Sequence, residues 1–262
     1  MKTAYLTFDI ETDWGGRTAP ENGTLTGILE GMPWLLEILK QYSVRSTFFI
    51  SGEIIEHCKD ILKEIEPLGH ELAVHGFCHR HSYNILSKEQ LRNDVLKAKE
   101  ALMRLTEKEP LGFRTPQFRF REDLFALLDE LNFKYDSSIC RSPISRTKKI
   151  RVQNISPVEE YEVGVWHRLK LPMGLVWIHN MGHRSFIESA AVQDGIIIYA
   201  HPFDLVKKNY DRRFSMKVNF WYYIMADTKI KDTLCRLIEG LAGKGFKFEP
   251  LRQKIINHAN IF

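Results

Sequence analysis

The sequence lacks the features of an exported, membrane-spanning or disulfide-bonded protein. Its four cysteines are widely spaced and include no Cys-x-x-Cys pair, which suits reduced thiols. No apolar run approaches the ~18 residues of a membrane-spanning helix. The N-terminal apolar run ends at an acidic residue within ten positions and has no small-residue cleavage site, so it lacks the pattern of a signal peptide. We therefore expect a cytoplasmic protein, at the inner face of the membrane if its substrate is membrane-linked.

The chain also has no strong excess of charge of either sign. Its formal net charge is +4, and the excess comes largely from basic runs at residues 147–151 and 207–213. Such runs are usually a solvated face, and the alternative is contact with a phosphate-bearing or membrane-linked substrate. No nucleic-acid-binding motif is present, so no nucleic-acid partner is expected. Hydrophobic residues make up 44% of the chain, which is enough to bury a sizeable core.

Short strand-like runs alternate with segments of helical periodicity along most of the chain. The predicted strands are residues 4–9, 45–50, 71–75, 111–114, 133–136, 195–201 and 246–248. The predicted helices are residues 31–42, 53–66, 88–105, 121–131 and 232–241, with Ser87 and Gln90 at the spacing of a capping box. Repeated βα units predict an α/β fold with a parallel sheet, closed into a barrel in a single domain over residues 1–262. The period is poor at about residues 138–191, where we predict irregular loop insertions that carry substrate selectivity.

Polar side chains suited to catalysis or metal binding follow four of the predicted strands. They are Asp9 and Glu11, His75 and His79, Arg114, and His201. Functional groups of parallel αβ sheets collect where strands end and loops begin. We therefore expect these side chains to converge on one pocket.

His75 and His79 are four residues apart and follow an apolar strand. Together with a carboxylate from the first strand they would leave open positions for water, as a catalytic zinc or related divalent site does. An isolated His-x-x-x-His pair more often has no metal, but the position at a strand end and the acidic partner favour a site. The expected cofactor is one divalent ion, zinc first, with cobalt, manganese and nickel as alternatives.

Four motifs in order resemble those of the polysaccharide deacetylases with a NodB-homology domain. They are Thr7-Phe8-Asp9, His75-x-x-x-His79, Arg114-Thr115-Pro116 and Tyr199-Ala200-His201-Pro202. The resemblance covers about residues 1–205 and implies a distorted (β/α) barrel of seven or eight strands with metal-assisted amide hydrolysis. It further implies Asp9 as general base, Arg114 as the residue that holds the base, His75 and His79 as metal ligands, His201 as general acid, and an oxyanion contact after Pro116.

The sequence departs from the common family pattern at Ile10. Many members have a metal-binding aspartate directly after the base, and Ile10 cannot ligate a metal. A subset that includes cytosolic sugar deacetylases and lipid-linked sugar deformylases has Asp-x-Asp or Asp-x-Glu instead. Residues 9 and 11 of an extended strand point to the same face, while residue 10 points away from it. We therefore predict that Glu11 is the third protein ligand, with Asp13 as a weaker substitute.

Other candidates are less specific. Pro116, Phe118, Trp166 and Trp177 are predicted to contact substrate, with core packing as the alternative for the aromatic residues. Asp136, at another strand end, is predicted to orient His201, with a turn-forming role as the alternative. The aromatic run at residues 218–224 suits either contact with a bilayer or a lipid-linked carrier, or burial in the core.

The expected function is metal-dependent removal of an N-acetyl or N-formyl group from a sugar in surface polysaccharide or glycolipid biosynthesis. The sugar would be nucleotide-linked or lipid-linked. One alternative keeps the site but takes a non-sugar amide or a cyclic imide as substrate. Another alternative is a catalytically silent carbohydrate-binding homologue that lost turnover through Ile10.

Overall fold

A computed structural model of the chain describes residues 2–147, 157–166, 168–207, 211–220 and 229–259. Its strands are β1 (Lys2–Ile10), β2 (Thr47–Ile50), β3 (Glu71–Val74), β4 (Gly112–Phe113), β5 (Tyr135–Asp136), β6 (Glu159–Glu160), β7 (Val165–Trp166), β8 (Leu171–Pro172), β9 (Gly195–Ala200) and β10 (Phe246–Phe248). Its helices are α1 (Asp13–Gly16), α2 (Met32–Gln41), α3 (Ile55–Lys63), α4 (Lys88–Thr106), α5 (Leu124–Glu130), α6 (Leu175–Met181), α7 (His183–Ala190), α8 (Met216–Asn219), α9 (Ile230–Gly243) and α10 (Arg252–Ala259).

Strand β1 lies at the centre of the sheet because its residues alternate between two apolar environments. Ala4, Leu6, Phe8 and Ile10 belong to the main core, which they share with the apolar faces of the helices. Tyr5 belongs to a second cluster, which lies on the opposite face of the sheet. Since the side chains of a strand alternate between faces, residues 7 and 9 point to the same side as Tyr5. Ile10 therefore lies in the core, as the alternation predicts.

The strands pair in parallel and the sheet curls upon itself. The spatial order is β9, β1, β2, β3, β4, β5 and β6, with β10 beside the first residues of β1. The amide of Gly164 donates to the carbonyl of Ile197 at 3.0 Å, and the amide of Tyr199 donates to the carbonyl of Met173 at 3.0 Å. These bonds bring the segments after β6 and β8 back to β9. The distorted (β/α) barrel expected from the sequence is confirmed.

Helix α4 begins as the sequence predicts. The Ser87 hydroxyl accepts from the amide of Gln90, and the Gln90 side chain accepts from the amide of Ser87. This capping box satisfies amides that have no partner within the helix.

Residues 138–191 are more regular than expected. Their described part contains β6, β7, β8, α6 and α7, so the prediction of irregular loops was wrong for these residues. Each of the three strands is two residues long, which is too short to show a period, and Pro172 lies within β8. The two helices have seven and eight residues and meet at Gly182.

Several expectations concern regions that the structure describes only in part. Residues 148–151, 208–210 and 221–224 lie outside the described residues, so the predicted roles of the basic runs and of the aromatic run stay predictions. The four cysteines are all unpaired. None of the described helices combines the length and apolarity required to cross a membrane.

Candidate functional site

Three predicted ligands lie together at the carboxyl end of the barrel. Glu11 follows β1, His75 follows β3, and His79 lies in the loop after β3. One donor atom from each lies within 4.8 Å of the others, and all three residues are buried. The Nε2 atom of His75 is 3.5 Å from Oε2 of Glu11, and Nε2 of His79 contacts the same oxygen. The structure thus brings together the three residues that were predicted from the sequence as metal ligands.

The chemistry of these atoms fits a divalent ion. Nδ1 of His75 lies 2.9 Å from the carbonyl oxygen of Arg114 and must donate to it, which leaves Nε2 of the neutral ring with a lone pair. Oε2 of Glu11 is buried and accepts no hydrogen bond from the described residues. Burial raises the pKa of Glu11, but the neighbouring imidazoles in their protonated forms, His79 first, outweigh burial and hold that pKa well below its usual range. A divalent ion bound to the three residues would supply positive charge in place of those protons. An ionised carboxylate and two imidazoles match the donors that zinc prefers.

The main chain passes unusually close to His79. Gly16 has φ +61°, and a Cβ atom placed on it would lie 2.1 Å from Nδ1 of His79. The amide of His79 donates to Glu53 at 3.1 Å, and its carbonyl oxygen accepts from the side chain of Gln117 at 2.9 Å. The backbone of this ligand is therefore fixed at both polar groups, and glycine is required beside its ring.

The loop that carries His79 is held by Asp94 of α4. Its buried carboxylate accepts from the amides of Phe77 at 2.8 Å and Cys78 at 3.3 Å. It also bonds the ring of His81 at 2.6 Å and accepts from the hydroxyl of Tyr83. Sequence reasoning missed Asp94, since no local pattern connects α4 with this loop.

Arg114 holds Asp9, the predicted base. One guanidinium nitrogen, Nη1, donates to Oδ1 of Asp9 at 2.7 Å and to the hydroxyl of Thr7 at 2.9 Å. The other two nitrogens donate to the carbonyl and hydroxyl oxygens of Ser137, both at 2.9 Å. The guanidinium also lies 4.1 Å from the ring centroid of Phe49, and Arg114 is 0% exposed. Four of its five N–H groups thus donate to described residues, an arrangement that a lysine could not reproduce.

His201, the predicted acid, lies on the other side of Glu11, with Nε2 3.9 Å from Oε1 of that carboxylate. Its partner is Asp204, whose Oδ2 lies 3.1 Å from Nδ1 and accepts from the amide of His201 at 2.9 Å. Burial lowers the pKa of His201, but the charge and hydrogen bond of Asp204 outweigh burial and raise it to about 9. The ring is therefore protonated at neutral pH, as a general acid must be.

The expectation that Asp136 orients His201 was wrong. Asp136 accepts from the amide and the hydroxyl of Ser138, at 3.1 and 2.6 Å, and lies opposite Glu160 across the β5–β6 pair. The partner of His201 is Asp204 instead. The signal in the sequence was the spacing His201-Pro-Phe-Asp204, in which a carboxylate three residues on can reach back to the start of a turn.

The predicted substrate-contacting residues do not all face the site. Trp177 lines a cavity of about 480 Å³ together with Tyr199 and His201. Phe118 is half-buried and packs edge-on against Tyr199, with ring centroids 5.3 Å apart. Trp166 is 0% exposed within the main core, so its assignment to the substrate was wrong.

Pro116 is buried at the turn after β4, where it packs against Gly76. A Cβ atom on Gly76 would lie 2.9 Å from the Pro116 ring. The oxyanion contact expected in the loop after Pro116 stays a prediction.

The sequence matches a family model and is similar to proteins of other organisms. A family model described as polysaccharide deacetylase matches residues 1–135. A peptidoglycan deacetylase of Helicobacter pylori is 33% identical over 129 residues, which are 48% of this chain and 43% of that protein. A peptidoglycan-N-acetylglucosamine deacetylase of Bacillus cereus is 23% identical over 224 residues, which are 84% of this chain and 74% of that protein. The match thus spans less than half of the Helicobacter pylori protein.

Solved structures share the fold. A Mycobacterium smegmatis protein assigned to the polysaccharide deacetylases superposes with a TM-score of 0.70 at 20% identity, covering 99% of this chain and 91% of that one. A family 4 carbohydrate esterase (CE4) pseudoenzyme of Bacillus anthracis superposes with a TM-score of 0.59 at 16% identity, covering 96% of this chain and 64% of that one. At these identities the likeness establishes the architecture and leaves the chemistry to the residues of the site.

Proposed function

The chain belongs to the polysaccharide deacetylase family, and on that premise we propose that it hydrolyses the N-acyl group of a sugar with the help of a divalent metal ion. One observation carries the proposal: the buried cluster of Glu11, His75 and His79 lies beside a potential base and a potential acid. The base is Asp9, two residues before Glu11 and held by Arg114, and the acid is His201, held by Asp204 with its Nε2 3.9 Å from Glu11. A base and an acid beside one metal site suit the hydrolysis of an amide, whose amine is a poor leaving group unless it is protonated.

Glu11, His75 and His79 would hold the ion. When bound there, a divalent ion supplies Lewis acidity, which favours deprotonation of water and polarises a carbonyl group. Asp9 then accepts a proton as the oxygen of water attacks the acyl carbon. Arg114 fixes the position of Asp9 by the 2.7 Å hydrogen bond.

His201 completes the reaction by donating its Nε2 proton to the sugar nitrogen as the carbon–nitrogen bond breaks. The products are a carboxylic acid and a free amine. Asp204 supports this step because its bond to Nδ1 directs Nε2 toward Glu11 and favours the protonated ring. Phe118 and Trp177 lie where a sugar ring beside His201 would contact an apolar wall.

The N-acetyl group of a hexosamine is the first substrate we propose, because the named relatives are peptidoglycan deacetylases. An N-formyl sugar is the alternative that the Asp-x-Glu pattern of Asp9 and Glu11 favours. We further propose that the substrate is a nucleotide-linked or lipid-linked precursor, met in the cytoplasm or at the inner face of the membrane. The four unpaired cysteines are consistent with that compartment.

Release of acetate or formate from N-acylated sugars by the metal-loaded protein tests the proposal. We expect wild-type protein to release acid, and Asp9→Asn to lower kcat by about 10²-fold or more through loss of the base. The matched control is Asp60→Asn, which changes an exposed aspartate and should leave kcat unchanged. Release of acid from a simple amide or a cyclic imide, but from no sugar, would move the proposal to the non-sugar substrates.

A silent carbohydrate-binding homologue is the second candidate, and Ile10 favours it. The position of Glu11 opposes it, because Glu11 supplies the carboxylate that Ile10 cannot. Full metal loading without release of acid from any substrate would favour this candidate.

A further inference from the structure

The cavity beside His201 is basic. Its lining includes Arg17, Arg146 and Lys217, which come from three separate segments of the chain. Its lining carboxylate is Asp204, which is already hydrogen-bonded to His201. The cavity therefore presents cations to any molecule that reaches His201. Among its described lining residues, Asp204 is the one carboxylate that could offset them.

A fourth cation strengthens this charge. Arg119 lines a neighbouring cavity that it shares with Arg146. Its Nε atom is buried and has no hydrogen-bond partner among the described residues. Burial lowers the pKa of Arg119, and the nearby charges of Arg146 and Arg17 lower it further, so both of these guanidinium groups lie close to that of Arg119.

These cations differ from other arginines of the molecule. Arg141 pairs with Glu162 at 2.8 Å, and Arg213 pairs with Asp211 at 2.7 Å. In the described part of the chain, no carboxylate forms an ion pair with any of the basic residues at the cavity, which are Arg17, Arg119, Arg146 and Lys217. A group of cations held together without a counter-charge, beside a catalytic acid, suits an anion that arrives with the substrate.

We propose that this cavity binds the phosphate group of an N-acylated sugar phosphate. The inference rests on the function proposed above and assigns the residues that would recognise the phosphate of its nucleotide-linked or lipid-linked substrate. A phosphate carries up to two negative charges and offers several oxygens to guanidinium groups, which bind such oxygens in pairs. The half-buried Trp177 on the same wall would face the sugar or its carrier.

The test compares N-acetylglucosamine 1-phosphate with the neutral methyl N-acetylglucosaminide. Binding is measured by calorimetry on the Asp9→Asn protein, and kcat/KM is measured on the protein with Asp9 intact. We expect the phosphate to be preferred, and the double change Arg17→Gln/Arg146→Gln to weaken its binding and raise its KM by about five- to tenfold. For the neutral sugar, the Kd and the KM should each change by less than about twofold, because this sugar makes no ionic contact.

Arg104→Gln is the matched control, since it removes an arginine that is 67% exposed on α4. It should leave both substrates unaffected. A phosphate preference that persists in the double variant, or an equal loss for both sugars, would overturn the inference. Binding with the expected preference but without acid release would defeat the proposed function and leave the inference standing.

Two further ligands separate the possible sources of the phosphate. A nucleoside diphosphate sugar and a short-chain prenyl phosphate sugar both contain the group that the arginines would recognise. Sensitivity of both to the double variant supports a phosphate site that accepts either carrier. Sensitivity of one alone assigns the carrier, and insensitivity of both contradicts the inference.

Discussion

Arg114 carries its charge inside the barrel and is paired there with Asp9. Arg114→Met would leave that carboxylate buried without its cation. We expect the free energy of unfolding to fall by about 3–5 kcal/mol, as for other buried pairs that lose one partner. Urea unfolding measures this loss, and Arg104→Met on the surface of α4 should change stability by less than about 0.5 kcal/mol. Equal stabilities of the two variants would show that Arg114 does not support the folded site.

Asp204 acts through His201, so its removal should depend on the leaving group. Asp204→Asn is expected to lower kcat on an N-acetyl sugar by about 10²-fold, because a misplaced or neutral ring cannot protonate the amine. An aryl acetate has a leaving group that needs no proton, so its hydrolysis should fall by no more than about threefold. A purely structural role would predict equal losses on both substrates, and steady-state rates distinguish these results.

At the scale of elements, the turn at α1 determines where His79 can lie. Gly16→Ala would place a methyl group 2.1 Å from Nδ1 of His79, so either the ring or the turn must move. We expect metal affinity to fall by at least about tenfold, as when other groups that orient a ligand are changed. Metal content and competition with a chelator measure this effect.

Gly245→Ala provides the control for that experiment. Gly245 has φ +82°, but nothing lies within 4 Å of a Cβ atom placed there. This variant has the same kind of backbone strain without the contact, so it should lose stability and keep its metal affinity. Similar metal loss in both variants would assign the effect to strain rather than to His79.

The sequence predicted the features that depend on residues close together in the chain, and it failed where contacts join different elements. The alternation along β1 placed Ile10 in the core and Glu11 with the histidines, because strand geometry is local. Asp136 and Trp166 were assigned wrongly because their neighbours come from other elements. Asp136 meets Glu160 of β6, and Trp166 meets Phe186 of α7, contacts that no local period reveals.

The loop contacts of Asp94 and the cluster of Arg17, Arg119 and Arg146 show the same limit. Their members come from different segments of the chain and approach one another only in the folded protein. The motif residues were found because each lies at the end of a strand, where parallel sheets collect their functional groups.

At the scale of the whole molecule, His70 should make folding sensitive to acid. It is 1% exposed and accepts from the amide of Ser46 at 3.1 Å. Burial, with a smaller effect of Arg252, lowers its pKa from 6.5 to about 4. Between these values the unfolded chain binds the proton and the folded chain does not, so the stability lost as pH falls through this window is about 3 kcal/mol at most.

Urea unfolding at several pH values from 7.5 to 4 checks this expectation. Above about pH 6.5, protonation of His70 should not affect the free energy of unfolding. Below about pH 6.5, the free energy of unfolding should fall as the pH falls. His70→Asn keeps an acceptor for the Ser46 amide and should remove the part of this pH dependence that comes from His70. The same change at the exposed His57 is the control. A pH dependence of stability that His70→Asn leaves unchanged would contradict the account.

The central claim is that Glu11, not the residue after Asp9, completes a metal site with His75 and His79. Metal analysis of the purified wild-type protein beside Glu11→Ala, His79→Ala and His57→Ala tests it most directly. We predict about one divalent ion per chain in the wild type and in His57→Ala, and its loss, together with acid release, from the other two variants. Metal content unchanged by Glu11→Ala, or a wild type that binds no divalent ion when one is supplied, would contradict the claim.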